Sequence, residues 1–385
     1  MEQENMPISI PAALIPLRKQ IDEIDHSILE LLDQRNQVVE EVAKVKKNTG
    51  FGIRDFKREA ELLSDRSARG DTAGLPAAVI ESLFRVILWA SRDRQAALGA
   101  EMPLEMPTKT VAIVGGNGGI GGLLHSLFND FGHTVIIADV NTEVSNIEAV
   151  KDADVIAIAV PIEETLDVIK EVAPHCKKES LLFDVTSTKR IPIETMLTHF
   201  EGSVIGTHPL FGPNVHSLQG QKIAVVKGRD TGNWHEWLCT IFNARGLSIL
   251  DTTGEEHDKA MGIVQVLTHQ TTEILGRTIQ RLDVDVQQTL EFTSPIYLME
   301  LLMAARHFAQ SADLYASIQM NNPETATVLD MLQKAGDELR DIILSENREQ
   351  FRELFKEVHT HFGSFSEQAL EQSSFLIDRL VERSQ

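Results

Sequence analysis

The sequence predicts a multidomain chain: an all-α module, then a doubly wound α/β domain, then a second all-α domain. Three observations carry this. Over the first hundred residues, apolar side chains recur at alternating three- and four-residue intervals. From Lys109 to about residue 254, short Val/Ile-rich runs alternate with helical patterns. Beyond that the strand-like runs stop and long helical patterns fill the chain. The units read as residues 1–98, a linker at 99–108, then 109–254 and 255–385. At 385 residues the chain can bury a sizeable core without disulfide or metal staples.

Composition excludes several classes of function. Lys and Arg number 36 against 57 Asp and Glu, a formal net charge of -21, which argues against a nucleic-acid binder or a polybasic membrane anchor. Residues 1–100 hold 14 cations and 16 anions, and the other 285 residues hold 22 and 41, so the first module is set apart by its cations. Two cysteines, Cys176 and Cys239, form no C-x-x-C, so neither a disulfide framework nor a cysteine zinc site is expected. The N-terminus lacks a secretory pattern, and no apolar run approaches the ~18 residues of a membrane span. The expected compartment is the cytoplasm.

The first helix is expected over 12–48, on the stripe Leu17, Ile21, Ile24, Ile28, Leu31, Val38, Val42 and Val45, with Gly50 closing it. A second fits 55–69, ending at Gly70, and a third fits 76–97, opened by Pro76. Arg35 occupies the slot on the stripe between Leu31 and Val38, and a cation on an apolar seam points to function. Lys46 follows 11 residues later, about 20° off the same line. Arg18 precedes Arg35 by 17 residues, about 25 Å along the helix and roughly 100° round, so it suits the pocket of a partner chain. Asp55, Arg58 and Glu59 share a face of the second helix, and Ser91 and Gln95 a face of the third. The set suits a small dicarboxylate that also carries a hydroxyl and an ether. Ordinary helical ion pairs are the other reading.

In the α/β part, TVAIVGG reads as a buried strand running into glycines, followed by a helix closed at Gly132 and a second strand, TVIIADV. The turn Gly116-Asn117-Gly118-Gly119-Ile120-Gly121 fits G-x-G-x-x-G, and Asp139 lies 18 residues beyond it. That is the context of a Rossmann dinucleotide fingerprint. Free N–H groups at the helix start would face a pyrophosphate. Asp139 would accept from a ribose 2′-OH and repel a 2′-phosphate, so NAD is favoured over NADP. DVIAIAVP, LLFDVTS, VIGTHP and KIAVVKG supply further strands.

His208, in THPLFGP, lies at the C-terminal end of a strand, where ligands of open sheets bind, and could take a proton from a substrate hydroxyl as hydride leaves. Ser187 and Lys189, in DVTSTK, could face the same cleft. Arg306 sits in a helix apolar almost all round and needs an anion, either a structural Glu or a substrate carboxylate. His269 and His257 have weaker standing as site residues, each being more often structural. His359 and His361 read as surface, with no metal site.

Taken together, LRKQIDEID, LLDQRNQV, VAKVKK, IRDFKRE and ILWASRDRQ resemble the all-helical chorismate mutases over about residues 12–97. GGNGGIGG, DVTSTK, GTHPLFGP, EEHDKAMGIVQVLTHQ and TSPIYLMELLMAARHFAQ resemble prephenate dehydrogenases over about 109–375. The whole is similar to the bifunctional chorismate mutase–prephenate dehydrogenase family. The resemblance implies that chorismate rearranges to prephenate in the helical module, and that prephenate then undergoes NAD-dependent oxidative decarboxylation to 4-hydroxyphenylpyruvate. It implies Lys46, Gln95 and Glu59 as catalytic in the mutase, with Arg18, Arg35, Asp55, Arg58 and Ser91 binding substrate. In the dehydrogenase it implies His208 and Ser187 at the ring hydroxyl, Arg306 on a carboxylate, and His269 and Lys189 nearby. It also implies a homodimer formed through the helical modules, with the first-helix Arg entering the partner's site, and feedback inhibition by tyrosine. Asn214 departs from the pattern, where an acidic residue is expected. An arogenate-preferring dehydrogenase, or a non-catalytic NAD-sensing regulator with a helical dimerisation module, are the alternatives.

Overall fold

The computed structural model describes residues 11–49, 52–101 and 106–383. Gly50, expected to close the first helix, and positions 102–105 of the expected linker lie outside the described residues. The N-terminal module is three helices, α1 (Leu14–Thr49), α2 (Phe56–Thr72) and α3 (Ala77–Glu101). Asp55 caps α2, its carboxylate accepting the N–H of Arg58 at 3.0 Å. The second helix does not stop at Gly70. That glycine is buried inside it, where a Cβ would lie 2.4 Å from Ile80 Cγ1, so it serves close packing of α2 on α3. The chain turns at Gly74 instead, with φ +76°. The third helix also continues to Glu101, into the stretch read as linker.

One expectation about α1 changes. Its apolar stripe is not buried within the chain: Leu17, Ile21, Ile24, Ile28, Leu31 and Val38 are 49–64% exposed. The face turned inward is Leu32, Arg35, Val39, Ala43 and Lys46, with Val39 and Ala43 buried. The helix therefore has two working faces, and the chain itself covers the one carrying Arg35 and Lys46.

The central domain is a seven-stranded sheet in the order β2-β1-β3-β4-β5-β6-β7. Its strands are β1 (Thr110–Val114), β2 (Thr134–Ala138), β3 (Val155–Ile158), β4 (Leu181–Asp184), β5 (Ser203–Pro209), β6 (Lys222–Arg229) and β7 (Ser248–Thr252). All neighbours are parallel except β5 and β6. The reading found six of these strands and missed β7, an edge strand whose Ser248, Leu250 and Asp251 are exposed, so it lacks the apolar run of a central parallel strand. Helices α4 (Gly119–Asp130), α5 (Asn146–Lys151), α6 (Ile162–Val172), α7 (Arg190–His199) and α8 (Trp234–Ala244) cover the two faces. One core layer centres on Phe128, Phe183, Leu238 and Phe242, the other on Ile156, Ile169, Leu182 and Met196. The order reverses between β1 and β3, the switch point at which such sheets bind ligands.

The C-terminal part is helical. Helix α9 (Gly254–Met261) passes through a π-turn at Gly262–Leu267 into α10 (Thr268–Arg281). Then follow α11 (Val286–Glu291), α12 (Pro295–Phe308), α13 (Ala312–Asn321), α14 (Thr325–Leu344), α15 (Arg348–Phe362) and α16 (Phe365–Arg383). Many of their apolar residues are open, among them Ile296, Leu302, Met303, Ile343 and Phe355. Among the described residues no helix is long and apolar enough to cross a membrane.

At the carboxyl end of β4, Lys189 and Asp184 form an ion pair with no solvent exposure on either side chain. The Lys189 ammonium also donates to Thr207 O at 2.6 Å, and the Asp184 carboxylate also receives Thr186 Oγ1 at 2.5 Å. Removing one partner strands the other charge out of water, which typically costs 3–5 kcal/mol, whereas replacing both with apolar residues is often near neutral. Asp184→Ala is therefore expected to destabilise the sheet domain by about 3–5 kcal/mol, and Asp184→Leu with Lys189→Met by much less. Urea unfolding followed by tryptophan fluorescence checks this; equal losses in the two variants would contradict it.

Candidate functional site

Two hollows gather the expected residues. In the helical module, α1 and α3 bring Arg35 Nη1 onto Ser91 Oγ, and Gln95 Nε2 donates to Ser91 O at 3.1 Å. The Gln95 Oε1 is buried without a hydrogen-bond partner. Lys46 Nζ donates to Ile53 O at 2.5 Å. Burial pushes the pKa of Lys46 below its ordinary value, while the nearby Asp55 and Glu59 carboxylates pull the other way. Burial lowers Arg35 as well. Arg35, Ser91 and Gln95 thus meet, while Lys46 lies by Ile53 O and within electrostatic reach of Asp55 and Glu59.

The remaining members fall out differently. Asp55 spends its carboxylate as a helix cap, so its place in the sequence pattern has a structural cause. The Arg58 side chain is 65% exposed and lies 3.9 Å from Glu61, so in this chain it does not enter the hollow. Arg18 is exposed and does not reach the Arg35 cluster in this chain. Glu59 is gripped by Arg92 at 2.6 Å and Arg54 at 3.3 Å. Sequence reasoning missed both arginines, although Arg92 directly follows Ser91.

The dinucleotide turn is a cradle that side chains would fill. A Cβ on Gly121 would lie 2.2 Å from Gly115 O, and one on Gly116 would lie 2.6 Å from Ile137 Cγ2. The positive φ that makes the tight turn falls at Gly115 (+86°), one residue before the first glycine of the fingerprint. Gly118 is the N-cap of α4, so Gly119 and Ile120 present helix-start N–H groups. Asp139 directly follows β2 and accepts the N–H of Asn117 at 3.0 Å, which holds its carboxylate beside the turn with lone pairs to spare. Backbone room, free N–H groups and this carboxylate fit NAD.

His208, at the end of β5, is 5% exposed. Its Nδ1 lies 2.9 Å from His257 Nε2, and His257 Nδ1 lies 2.9 Å from Asp258 Oδ1. Asp258 also accepts the N–H groups of Lys189 (2.7 Å) and Arg190 (3.1 Å) at the start of α7. Burial alone would raise the Asp258 pKa, but these hydrogen bonds and the His257 ring bring it below the usual carboxylate value. On its other side, His208 Nε2 faces Gln265 Nε2 at 3.5 Å, from the π-turn. Ser187 is buried with an unpartnered Oγ. Sequence reasoning gave His257 weak standing and missed Asp258 and Gln265; the run EEHDKAMGIVQ held the signal.

Two expectations need correction. Lys189 does not face the cleft: it is wholly buried, bound to Asp184 and Thr207 O beneath it. Burial pushes its pKa below the ordinary value, with Asp184 opposing. Arg306 is not buried in this chain; it is exposed, and the buried side chain beside it is His307, bonded to Glu273 at 3.0 Å. Helix α12 is apolar all round because one side packs within the chain while Ile296, Leu302 and Met303 stay open. Arg306 acts electrostatically on Tyr315, whose ring stacks on His307 (3.8 Å) and meets His269 edge-on (4.8 Å). His269, one turn beyond Gln265, has a buried, unpartnered Nδ1 and a pKa lowered by burial and His307. Tyr315 and His307 line a cavity of about 370 Å³. His359 and His361 are exposed on α15.

The segment after β5 joins the parts. Pro213 lies against Gly119, where an added Cβ would be 2.6 Å from Pro213 Cβ. His216 packs on Trp89 of α3 at 5.4 Å, and Ser217 Oγ donates to Asp93. Asn214, the departure from the expected acidic residue, falls between these contacts.

Comparison with known proteins agrees with this division. Residues 17–96 match the family described as chorismate mutase type II, 132–246 the nucleotide-binding domain of prephenate dehydrogenase, and 253–357 its dimerization domain. A T-protein of Haemophilus influenzae is 32% identical over 378 residues, 98% of this chain and all of that protein. A T-protein of Enterobacter agglomerans is 31% identical, covering 95% of this chain and 97% of its own length. Among solved structures, prephenate dehydrogenase from A. aeolicus, in complex with hydroxyphenyl propionate and NAD+, aligns with a TM-score of 0.56 at 18% identity. It covers 67% of this chain and 98% of that one, a likeness of fold.

Burial, the His257 ring and Lys189 push the His208 pKa well below 6.5. A base must be unprotonated, and a lowered pKa keeps it so to lower pH. A reaction using His208 as base should therefore hold its kcat/KM as pH falls through 6.5 and decline only well below. An acid limb centred at 6.5 or higher in the pH profile would contradict a desolvated base.

Proposed function

The chain belongs to the T-protein family, joining a chorismate mutase to an NAD-dependent prephenate dehydrogenase of tyrosine biosynthesis, and from that premise we propose how its residues share the two reactions. The rearrangement of chorismate is unimolecular and needs no nucleophile; the protein must hold the compact conformer and stabilise charge as the ether bond breaks. Arg35, and Arg18 of a second copy, clamp the two carboxylates. Lys46 and Gln95 donate to the ether oxygen. Each now bonds a backbone carbonyl. Glu59, Asp55, Arg58 and Ser91 complete the set as the resemblance implies, Glu59 acting from within its arginine pairs.

For the dehydrogenase, the carrying observation is a buried imidazole at the carboxyl end of β5, one loop away from the dinucleotide turn. NAD, when bound, supplies the hydride acceptor. Gly116, Asn117, Gly118, Gly119, Ile120 and Gly121 seat its phosphates, and Asp139 takes the ribose hydroxyls. His208 Nε2 accepts the proton of the ring hydroxyl, and Ser187 Oγ holds the same oxygen. As hydride leaves the ring carbon, CO2 departs, the ring becomes aromatic, and the proton held on His208 returns to the ring oxygen as the phenol forms. Arg306 binds a substrate carboxylate, with His269 beside it. Lys189 contributes from beneath, by fixing the strand end that bears His208.

A homodimer is part of this reading. What supports it is the open apolar stripe of α1, together with the open apolar residues of α12, α14 and α15. Inhibition by tyrosine also belongs to it, since tyrosine presents a ring hydroxyl and a carboxylate of the kind assigned to His208 and Arg306. So does a cytoplasmic setting, in keeping with NAD use and two free thiols.

Incubation with chorismate and NAD should yield NADH and 4-hydroxyphenylpyruvate. Lys46→Ala is expected to slow the mutase by about 10²-fold or more and leave the dehydrogenase within twofold. His208→Asn should abolish NADH formation from prephenate and spare the mutase. Equal loss of both activities in either variant contradicts separate sites. Arg306→Gln should raise the prephenate KM at least tenfold with little change in kcat; an unchanged KM removes Arg306 from the substrate site.

A further inference from the structure

We infer that His257 and Asp258 are positioning residues for the dehydrogenase: they lock His208 in the one tautomer that can act as a base, and support the ring once it has taken the proton. The inference rests on His208 being that base. It starts from Asp258. An ionised carboxylate can only accept hydrogen bonds, and this one already receives two backbone N–H groups, from Lys189 and Arg190. His257 Nδ1, 2.9 Å from Asp258 Oδ1, must therefore carry a hydrogen. In the neutral ring His257 Nε2 is then an acceptor. It lies 2.9 Å from His208 Nδ1, which must donate to it. That leaves the lone pair of neutral His208 on Nε2, the nitrogen on the Gln265 side.

The opposite arrangement fails at both ends. It would turn a lone pair of His257 onto a carboxylate, and it would leave His208 with an N–H toward the cleft, unable to receive a proton. When the substrate O–H proton moves to Nε2, the O–H bond breaks, an N–H bond forms, and both nitrogens of His208 carry hydrogen. The new positive ring then donates through His257 toward the negative charge of Asp258. The titratable and polar groups facing His208 are His257 on α9, Lys189 at the start of α7, with Asp184 of β4 paired to it, and Gln265 in the π-turn. Among the described residues, the acceptor offered to Nδ1 comes from the His257–Asp258 side. A His257 ring that merely filled space would need neither a polar partner at each nitrogen nor a helix N-terminus behind the carboxylate.

The test compares His257→Leu, His257→Gln, Asp258→Asn and His208→Asn in the full chain, with mutase rate as the measure of intact folding. His257→Leu should lower the dehydrogenase kcat by about 10²-fold while the prephenate KM stays within threefold. His257→Gln places an amide oxygen near Nδ1 and should recover at least tenfold of that loss. Asp258→Asn, which lets His257 bind in either sense, should lower kcat at least tenfold, and it decides the matter should His257→Leu also lose the mutase. A kcat within threefold of the parent in the Leu and Asn variants, equal losses in the Leu and Gln variants, or a change confined to KM would overturn the inference. If His208→Asn alone is inactive, the base assignment stands and only the positioning role falls. If His208→Asn keeps its activity, the assignment beneath falls first.

Discussion

A lysine with no access to water organises the dehydrogenase half. Its ammonium is held by Asp184 and by the carbonyl of Thr207, and its own N–H is held by Asp258. Asp258 meets His257, His257 meets His208, and His208 follows Thr207 in the chain. The contacts close a ring from sheet to helix and back. A charge so far from solvent tolerates only one geometry, because each displaced partner leaves an ion or a donor unsatisfied. The ring thus fixes where α9 sits against β5, and with it the direction in which the His208 imidazole points.

Much of this architecture was legible in the chain. Central parallel strands must be apolar on both faces, so TVAIV, VIAI and LLFD announced themselves. The edge strand β7 did not, because an edge has no such demand. The glycine fingerprint gave the cradle, yet the strained φ belongs to Gly115, just outside it; sequence shows that glycines are needed, whereas only backbone angles show which one bears the turn.

The site residues divide by the same logic. The position of His208 at a strand end was legible from the Val/Ile-rich run before it, and the structure places it there, buried. Lys189 was misjudged because position in a motif does not tell whether a side chain points out of a cleft or beneath it. The burial of Arg306 was misjudged because a helix apolar almost all round was read as buried in its own chain, whereas one flank is open. The stripe of α1 taught the same lesson: periodicity reports an apolar face, and this one stays open in the chain. Asp258 and Gln265 lie in the run EEHDKAMGIVQ that held the signal, but their contacts are with residues 69 and 57 positions away, which local periodicity does not report.

The segment from Leu210 to Gln221 has the broadest reach. It leaves β5 just after His208, rests on the start of α4 at Pro213, and ends against α3 through His216 and Ser217. Helix α3 supplies Ser91 and Gln95 to the other hollow from the same turns that carry Trp89 and Asp93 to this segment. Pulling the two modules apart would therefore strip His216 from the Trp89 indole and break the Ser217–Asp93 contact, within a turn of Ser91 on α3, so the modules share packed surface as well as a covalent link.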